Sequence, residues 1–202
     1  MFGFRVFAML PLVCLLTACD NSPKKMEKKS ADDGPEKTTI VIMETSKGTV
    51  KIELYDDKAP ITVQNFLEYV DDKHYDGTIF HRVIPDFMIQ GGGFVPGLRE
   101  KGSKYPPIKN ESANGLENFR GTLAMARTNA PDSATDQFFI NVKNNGALDR
   151  AGGRVGYAVF GKVIGGMEVV DAIRVVKTAE AGQHEDVPVD DVIIKSIRRA
   201  AL

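Results

Sequence analysis

Cysteine and net charge are both scarce in this chain of 202 residues. Its two cysteines, Cys14 and Cys19, lie near the N-terminus, so the rest of the chain has no thiol with which to form an internal disulfide. The formal net charge of -1 gives no reason to expect nucleic acid or an anionic membrane surface as the main partner. The apolar run from Val6 to Leu16 is too short to span a bilayer. With 43% hydrophobic and 26% charged residues, the chain fits one globular domain and a tail.

The N-terminal segment has the pattern of an export signal. Arg5 precedes the apolar run, whose length suits the core of a signal peptide. The run continues into Leu16-Thr17-Ala18-Cys19, which resembles the lipobox of bacterial lipoproteins. That resemblance implies cleavage of residues 1–18 and lipidation of Cys19 by diacylglycerol and an acyl chain such as palmitate. The alternative is an ordinary secretory signal in which this cysteine has no such role.

Residues 19–37 are predicted to form the lipidated cysteine and a disordered tether, because they are mostly Lys, Asp, Glu, Ser, Asn and Pro and offer almost nothing to bury. The expected location is therefore the periplasmic side of a bacterial cell envelope, with a lipid anchor as the membrane partner. Asp20 resembles the inner-membrane retention signal of enteric bacteria and slightly favours that membrane. Residues 38–202 form the predicted folded domain.

Residue periodicity in the folded domain predicts an all-β-dominated structure. Val50, Ile52 and Leu54 alternate with charged residues, as in a half-buried strand, whereas apolar residues after Pro60 recur at helical spacing. Many short strands and two separated helices are typical of a closed antiparallel barrel capped by helices. We predict strands at Thr39–Thr45, Thr49–Tyr55, Thr122–Ala126, Phe138–Val142, Tyr157–Val163 and Asp191–Ile197, helices from Ala59-Pro60 and over Met167–Arg174, and a long ordered loop over Val95–Arg120.

The segment from Phe80 to Phe94 carries the most chemical information. It places one arginine and one glutamine among apolar side chains and contains three consecutive glycines, which permit close backbone approach. In a strand, Arg82, Met88 and Gln90 have the same parity and share a face. Arginine cannot act as a general acid or base, but it can hold a carbonyl or a developing lone pair. This pattern indicates electrostatic chemistry that needs no nucleophile.

Two further segments, Gly121–Arg127 continuing through Asp136–Val142, and Ala147–Asp149 followed by Tyr157–Val163, complete a set of ordered motifs. Together with the arginine segment they resemble the cyclophilin family of peptidyl-prolyl cis–trans isomerases. The resemblance extends over Thr38–Arg198 and is closest to the Gram-negative periplasmic branch. It implies an eight-stranded barrel with a helix at each end, a ligand site on the outer face, a monomer, proline-containing polypeptides as substrates and no cofactor.

The resemblance also implies roles for individual residues. Arg82 would donate to the prolyl nitrogen, and Gln90 would orient the guanidinium and the substrate backbone. The remaining implied substrate-binding residues are the proline-cup residues Phe87, Met88, Phe139 and Leu148, the neighbouring-subsite residues Ala126, Arg127 and Gln137, and Tyr157, which would cover the cup. Each apolar residue in this set also has a plain packing interpretation. Non-catalytic proline-peptide binding or a chaperone role on the same fold, and a purely structural envelope lipoprotein, remain the alternative functions.

Two features depart from the family pattern. The cup-rim position that holds Trp or Phe in many relatives is Ala147 here, and a glycine-rich insert runs from Arg150 to Gly156. We therefore expect somewhat looser substrate binding and weak cyclosporin binding. His81 has the opposite parity to Arg82 and is expected to be structural. His74 and His184 show no metal-ligand spacing with it, so no metal site is predicted.

Overall fold

The structure, a computed structural model, describes Met1, Gly3 and residues 38–201. The predicted lipobox, Cys19 and the tether at 19–37 lie outside the described residues and stay predictions.

The described part of the chain contains strands, two α-helices and one short 3-10 helix. In chain order they are β1 (Thr39–Thr45), β2 (Gly48–Leu54), α1 (Pro60–Asp71), β3 (Thr78–Ile84), β4 (Met88–Gly91), β5 (Phe94–Val95), β6 (Arg99–Glu100), β7 (Thr122–Met125), β8 (Phe138–Asn141), the 3-10 helix (Gly146–Leu148), β9 (Val159–Gly165), α2 (Met167–Arg174), β10 (Thr178–Ala181), β11 (His184–Pro188) and β12 (Ile193–Arg199).

Eight strands close into an antiparallel barrel in the order β1-β12-β3-β4-β8-β7-β9-β2. The first hairpin is in full register, from Thr39 opposite Leu54 to Thr45 opposite Gly48. The period-two alternation seen in the sequence of β2 has its expected result, because Val50, Ile52 and Leu54 are all buried. The predicted eight-stranded barrel is confirmed, and most predicted strand ends lie within two residues of the observed ones.

Alternation along the strands divides the apolar residues of the barrel wall between two clusters. Ile89, Phe138 and Phe160 belong to the large cluster that fills the interior. Their chain neighbours Met88 and Phe139 belong to a second, smaller cluster, together with Ala124 and Val159. Because successive side chains of a strand point to opposite faces, the second cluster lies on the outside of the barrel. That outer cluster is where the site is built.

Both helices bury one face against the interior cluster. Helix α1 begins at Pro60 as predicted, and its apolar stripe, which includes Phe66 and Val70, is buried. No side chain of its own caps this helix; instead the Glu111 carboxylate accepts hydrogen bonds from the first-turn amides of Ile61 and Thr62, at 3.2 Å and 2.8 Å. Among the described residues, neither helix is long and apolar enough to cross a membrane.

Two short hairpins were not predicted from the sequence. The segment expected to be loop from Val95 to Arg120 begins with the β5–β6 pair, in which Phe94 lies opposite Glu100. Gly97 and Leu98, both with positive φ, form the turn that allows it. The β10–β11 pair forms a separate two-stranded sheet between α2 and β12. These strands have two to five residues and, unlike the four-residue strands β7 and β8, few large apolar residues that would mark them in the sequence.

Candidate active site

Arg82 and Gln90 lie directly opposite each other on β3 and β4. The register shifts just before Arg82, so His81 is the extra residue of a β-bulge, a device that re-aims a neighbouring side chain. Met88 lies two residues before Gln90 on the same strand and therefore faces the same way. The predicted common face of Arg82, Met88 and Gln90 is confirmed.

A pocket of about 130 Å³ opens on this outer face. Its base is apolar, with Met88 only 2% and Phe139 only 4% exposed. The Arg82 guanidinium and the Gln90 amide supply the polar part of its lining. Such a pocket suits one small apolar ring held beside a cation. It brings together all the predicted catalytic and substrate-binding residues except Gln137, namely Arg82, Phe87, Met88, Gln90, Ala126, Arg127, Phe139, Leu148 and Tyr157.

Tyr157 covers one side of this pocket. Its ring packs edge-on against the Phe139 ring, with centroids 5.6 Å apart and planes at 76°. The Tyr157 backbone amide donates to the carbonyl oxygen of Leu148 at 2.9 Å, which ties the backbone after the insert to the backbone before it. The Arg127 guanidinium lies over the outer face of the same ring, 4.5 Å from its centroid. The pocket wall is thus a stack of side chains from three separate segments.

Gln137 links the pocket to a second cleft of about 170 Å³ that it lines together with Ala126 and Arg127, as predicted for the neighbouring subsite. The Gln90 side-chain amide donates to Gln137 Oε1 at 2.9 Å. The sequence analysis expected Gln90 to orient the Arg82 guanidinium, whereas the structure pairs it with Gln137. Gly93 makes room for this pair, because a Cβ there would lie 2.5–2.6 Å from the Gln137 side chain. The expected close approach at the glycine run is therefore observed at Gly93.

Arg82 has a partner that the sequence analysis missed. Asp186 on β11 places its Oδ2 3.7 Å from Arg82 Nε, and the two side chains are 38% and 43% exposed. Asp186 adopts φ 58, a left-handed conformation that few residues other than glycine occupy. Nothing in the sequence pairs these residues, which are separated by helix α2 and several strands. Only the β10–β11 hairpin brings them together.

A buried polar network supports the segment before Gln137. His74 Nε2 and Asp136 Oδ2 are 2.9 Å apart, and the Tyr75 hydroxyl donates to the Asp136 carbonyl oxygen at 2.9 Å. Burial raises the pKa of the Asp136 carboxyl, but the hydrogen bonds from His74 and Thr135 outweigh it and hold that pKa below its usual value. Asp136 therefore stays ionised and fixes the start of β8. No role for His74 could be predicted from the sequence, because its partner lies 62 residues further along the chain.

Ala147 and the insert at 150–156 lie beside the pocket. Ala147 is exposed in the 3-10 helix directly before Leu148 and does not line the pocket itself. The insert folds back through the bridge between Ala151 and Arg154. Within the part of the chain that the structure describes, no three His, Cys, Asp or Glu side chains come together as a metal site.

Three comparisons with known proteins agree with this geometry. Residues 40–199 match the family model described as cyclophilin type peptidyl-prolyl cis-trans isomerase/CLD. The chain is 58% identical over 160 residues to a peptidyl-prolyl cis-trans isomerase of Acinetobacter baylyi, covering 79% of this chain and 85% of that protein. It is 56% identical over 161 residues to peptidyl-prolyl cis-trans isomerase B of Escherichia coli, covering 78% and 98%.

A solved structure is similar as well. A cyclophilin type peptidyl-prolyl cis-trans isomerase of Cryptosporidium parvum, determined in the presence of the dipeptide Ala-Pro, superposes with a TM-score of 0.69 at 30% identity. The match covers 81% of this chain and 99% of that one. The barrel, the outer pocket and these relatives lead to one conclusion: the chain belongs to the cyclophilin-type family and is a peptidyl-prolyl cis–trans isomerase.

Proposed function

We propose that this isomerase accelerates rotation about X–Pro bonds by stabilising the twisted amide electrostatically, with Arg82 as the catalytic group. Amide resonance gives the bond a rotation barrier of about 18–20 kcal/mol. As the bond twists, the prolyl nitrogen becomes pyramidal and gains a lone pair. A hydrogen bond from the guanidinium to that lone pair opposes resonance and favours the twisted form over both planar forms. Arg82 stays protonated throughout, so no proton is transferred.

The observation that carries this proposal is the meeting of a guanidinium and a small apolar pocket on one face. The pocket, about 130 Å³ with Met88 and Phe139 at its base, suits the ring of proline. Holding the ring there places the prolyl nitrogen beside Arg82, and the apolar surroundings strengthen the interaction. Acceleration at the low end for enzymes corresponds to about 8 kcal/mol, within reach of a positioned cation that the bound substrate shields from water.

Gln90 and Gln137 serve the substrate main chain in this mechanism. Their mutual hydrogen bond of 2.9 Å holds both amides at the junction between the proline pocket and the cleft lined by Ala126 and Arg127. A peptide that places proline in the pocket presents its neighbouring carbonyl and amide groups to these side chains. The pair therefore limits how far the substrate shifts while the prolyl bond turns.

The test measures isomerisation of a proline tetrapeptide by the full chain and by Arg82→Ala. We expect kcat/KM to fall by about 10²-fold to 10³-fold, as when one transition-state donor is removed. Arg99→Ala is the matched control, because Arg99 is an exposed arginine that does not line the pocket. Equal activity in wild type and Arg82→Ala contradicts the mechanism. Tight peptide binding without turnover in the wild type supports the binding-module alternative.

We also propose that the protein acts as a monomer on polypeptides that fold in a bacterial cell envelope, anchored on the periplasmic side through Cys19. The lipobox-like Leu16–Cys19 and the bacterial origin of the Acinetobacter baylyi and Escherichia coli relatives support this. Asp20 favours the inner membrane. Labelled palmitate should enter the wild type in bacterial cells and not Cys19→Ser, and the variant should leave the membrane fraction. Equal labelling of both proteins overturns the anchor.

A further inference from the structure

A larger cleft adjoins the reaction centre on the side of the β10–β11 hairpin. Its volume is about 440 Å³, against about 130 Å³ for the proline pocket. We call it the hairpin cleft and define it by His81, Arg82, Phe94, Gln183, His184 and Glu185, which all line it. It shares Arg82 and Gln90 with the proline pocket. A polypeptide that places a proline in the pocket therefore reaches the hairpin cleft without leaving the surface.

The wall of the hairpin cleft contains a polar atom without a partner. His81 is only 5% exposed, and its Nδ1 makes no hydrogen bond to any residue that the structure describes. The ring packs against Phe94, with centroids 4.5 Å apart. Burial, with the positive charges of its neighbours, lowers the pKa of His81 to about 4, so the ring is neutral at pH 7. A neutral ring in this wall adds no charge that would repel a cation in the cleft.

The side of the cleft that the β10–β11 hairpin forms is acidic. Between Thr178 and Pro188 the hairpin carries three acidic residues and no lysine or arginine. Glu185 is exposed and lines the cleft. Asp186, 3.7 Å from Arg82 Nε, offsets the repulsion that Arg82 would exert on another cation. Phe94 offers an aromatic face, next to which an aliphatic stem or a cation packs favourably.

We propose that the hairpin cleft is a substrate subsite that binds the polypeptide flanking the prolyl residue and selects a lysine or arginine side chain there. The proposal rests on the proposed isomerase function and adds a preference to it. The aliphatic part of the basic side chain packs on Phe94, and its charge pairs with Glu185. Asp186 reduces the electrostatic repulsion between the Arg82 guanidinium and the bound basic side chain.

The experiment uses the full chain and tetrapeptides around one Ala-Pro bond. The residue that flanks the Ala-Pro pair is Lys, Gln or Glu, first on one side of the pair and then on the other. We compare the kcat/KM values of these peptides at low salt. We expect the Lys peptide to exceed the Glu peptide by about threefold or more on one side only, mainly through KM, in the range that exposed ion pairs give. The preference shrinks as salt is added, because salt screens exposed charges.

Glu185→Gln should reduce the Lys-to-Glu preference towards one. Glu180→Gln is the matched control, since it removes the same charge from the same hairpin at an exposed residue that does not line the cleft. It should keep both the preference and the rate on the uncharged peptide. Equal rates for Lys and Glu peptides, or equal loss of preference in both variants, overturn the subsite. Absence of turnover on the Gln peptide as well indicates failure of the isomerase function itself.

Discussion

The Arg127 guanidinium fastens the glycine-rich insert to the wall of the proline pocket. Its Cζ lies 4.5 Å from the centre of the Tyr157 ring, and its Nη2 donates to the carbonyl oxygen of Val155 at 2.8 Å. A longer hydrogen bond of 3.4 Å runs from Nε to the carbonyl oxygen of Gly156. Arg127 was expected from the sequence to line the neighbouring subsite. The side chain has a second role, because it holds Tyr157 over Phe139.

Replacing Arg127 with leucine should therefore loosen the pocket without removing a group that contacts the prolyl nitrogen. We expect KM for a proline tetrapeptide to rise about threefold to tenfold with a smaller change in kcat, because Tyr157 and the insert lose a stacking partner and two hydrogen bonds. Steady-state kinetics measure this, and denaturant unfolding should show a loss of about 1–2 kcal/mol. Arg150→Leu, an exposed arginine of the same insert, is the control. An unchanged KM would show that Tyr157 and the insert keep their positions without the Arg127 side chain.

A side chain at position 93 should lower activity, because it would displace the Gln137 side chain that packs against Gly93. A Cβ built there lies 2.5–2.6 Å from Gln137 atoms that include Cγ, so the side chain has to change rotamer and give up its 2.9 Å bond to Gln90. We expect Gly93→Ala to lower kcat/KM by about tenfold, since misplaced positioning groups have effects of this size or greater.

Gly165→Ala is the control for this substitution, because the added Cβ would meet only ordinary contact with Lys51 at 3.5 Å. Both variants should fold, which far-ultraviolet circular dichroism can check. Full activity in Gly93→Ala would mean that the Gln90–Gln137 pair does not contribute to turnover.

The sequence predicted those strands and helices whose apolar residues recur at a regular spacing. Alternation in β2 and the helical stripe after Pro60 are local patterns, and both elements lie where they were expected. The common face of Arg82 and Gln90 was also predicted from local spacing, although the structure produces it by placing the two residues opposite each other on two strands and not along one. The Asp186–Arg82 and His74–Asp136 pairs were not predicted, because each depends on how distant segments come together in the closed barrel. For the same reason the sequence could not show that Gln90 bonds to Gln137.

Protonation of His81 should destabilise the fold at mildly acidic pH. Burial lowers its pKa from 6.5 to about 4 in the folded state. Between these values the unfolded chain binds a proton that the folded protein does not, so the free energy of unfolding falls as pH decreases from about 6.5 to 4. The loss from this residue approaches about 3 kcal/mol at pH 4, since each pKa unit corresponds to about 1.4 kcal/mol. Above pH 6.5 the residue contributes no pH dependence.

Urea unfolding of wild type and His81→Leu at several pH values tests this. The wild-type free energy of unfolding should decrease more steeply between pH 6.5 and 4 than that of the variant. Parallel curves would show that His81 titrates alike in both states. The isomerase assay on the same variant separates this effect from a change in the hairpin cleft, which His81 lines, because stability and KM are measured independently.

Ala147 should set the affinity for cyclosporin. It is exposed one residue before Leu148, at the position where the family resemblance implies an aromatic rim residue in many relatives, and the chain has no tryptophan. A bound ligand therefore leaves this side of the pocket in contact with water. Ala147→Trp adds apolar surface that the ligand can cover, and burying a side chain of that size stabilises a complex by about 1.5–3 kcal/mol. We expect the inhibition constant for cyclosporin to tighten by about tenfold to a hundredfold.

Ala151→Trp serves as the control, because Ala151 is equally exposed but lies in the insert and lines no part of the pocket. It should leave the inhibition constant unchanged. Tight inhibition of the wild type itself would contradict the expectation of weak binding. It would mean that Tyr157 makes the contact with cyclosporin that an aromatic residue at the rim would otherwise make. If Ala147→Trp instead raises KM for peptides and does not tighten cyclosporin, the new ring falls into the pocket rather than onto its rim. Measured together, the inhibition constant for cyclosporin and the KM for peptides therefore distinguish a pocket that lacks an aromatic rim residue from a pocket with a different shape.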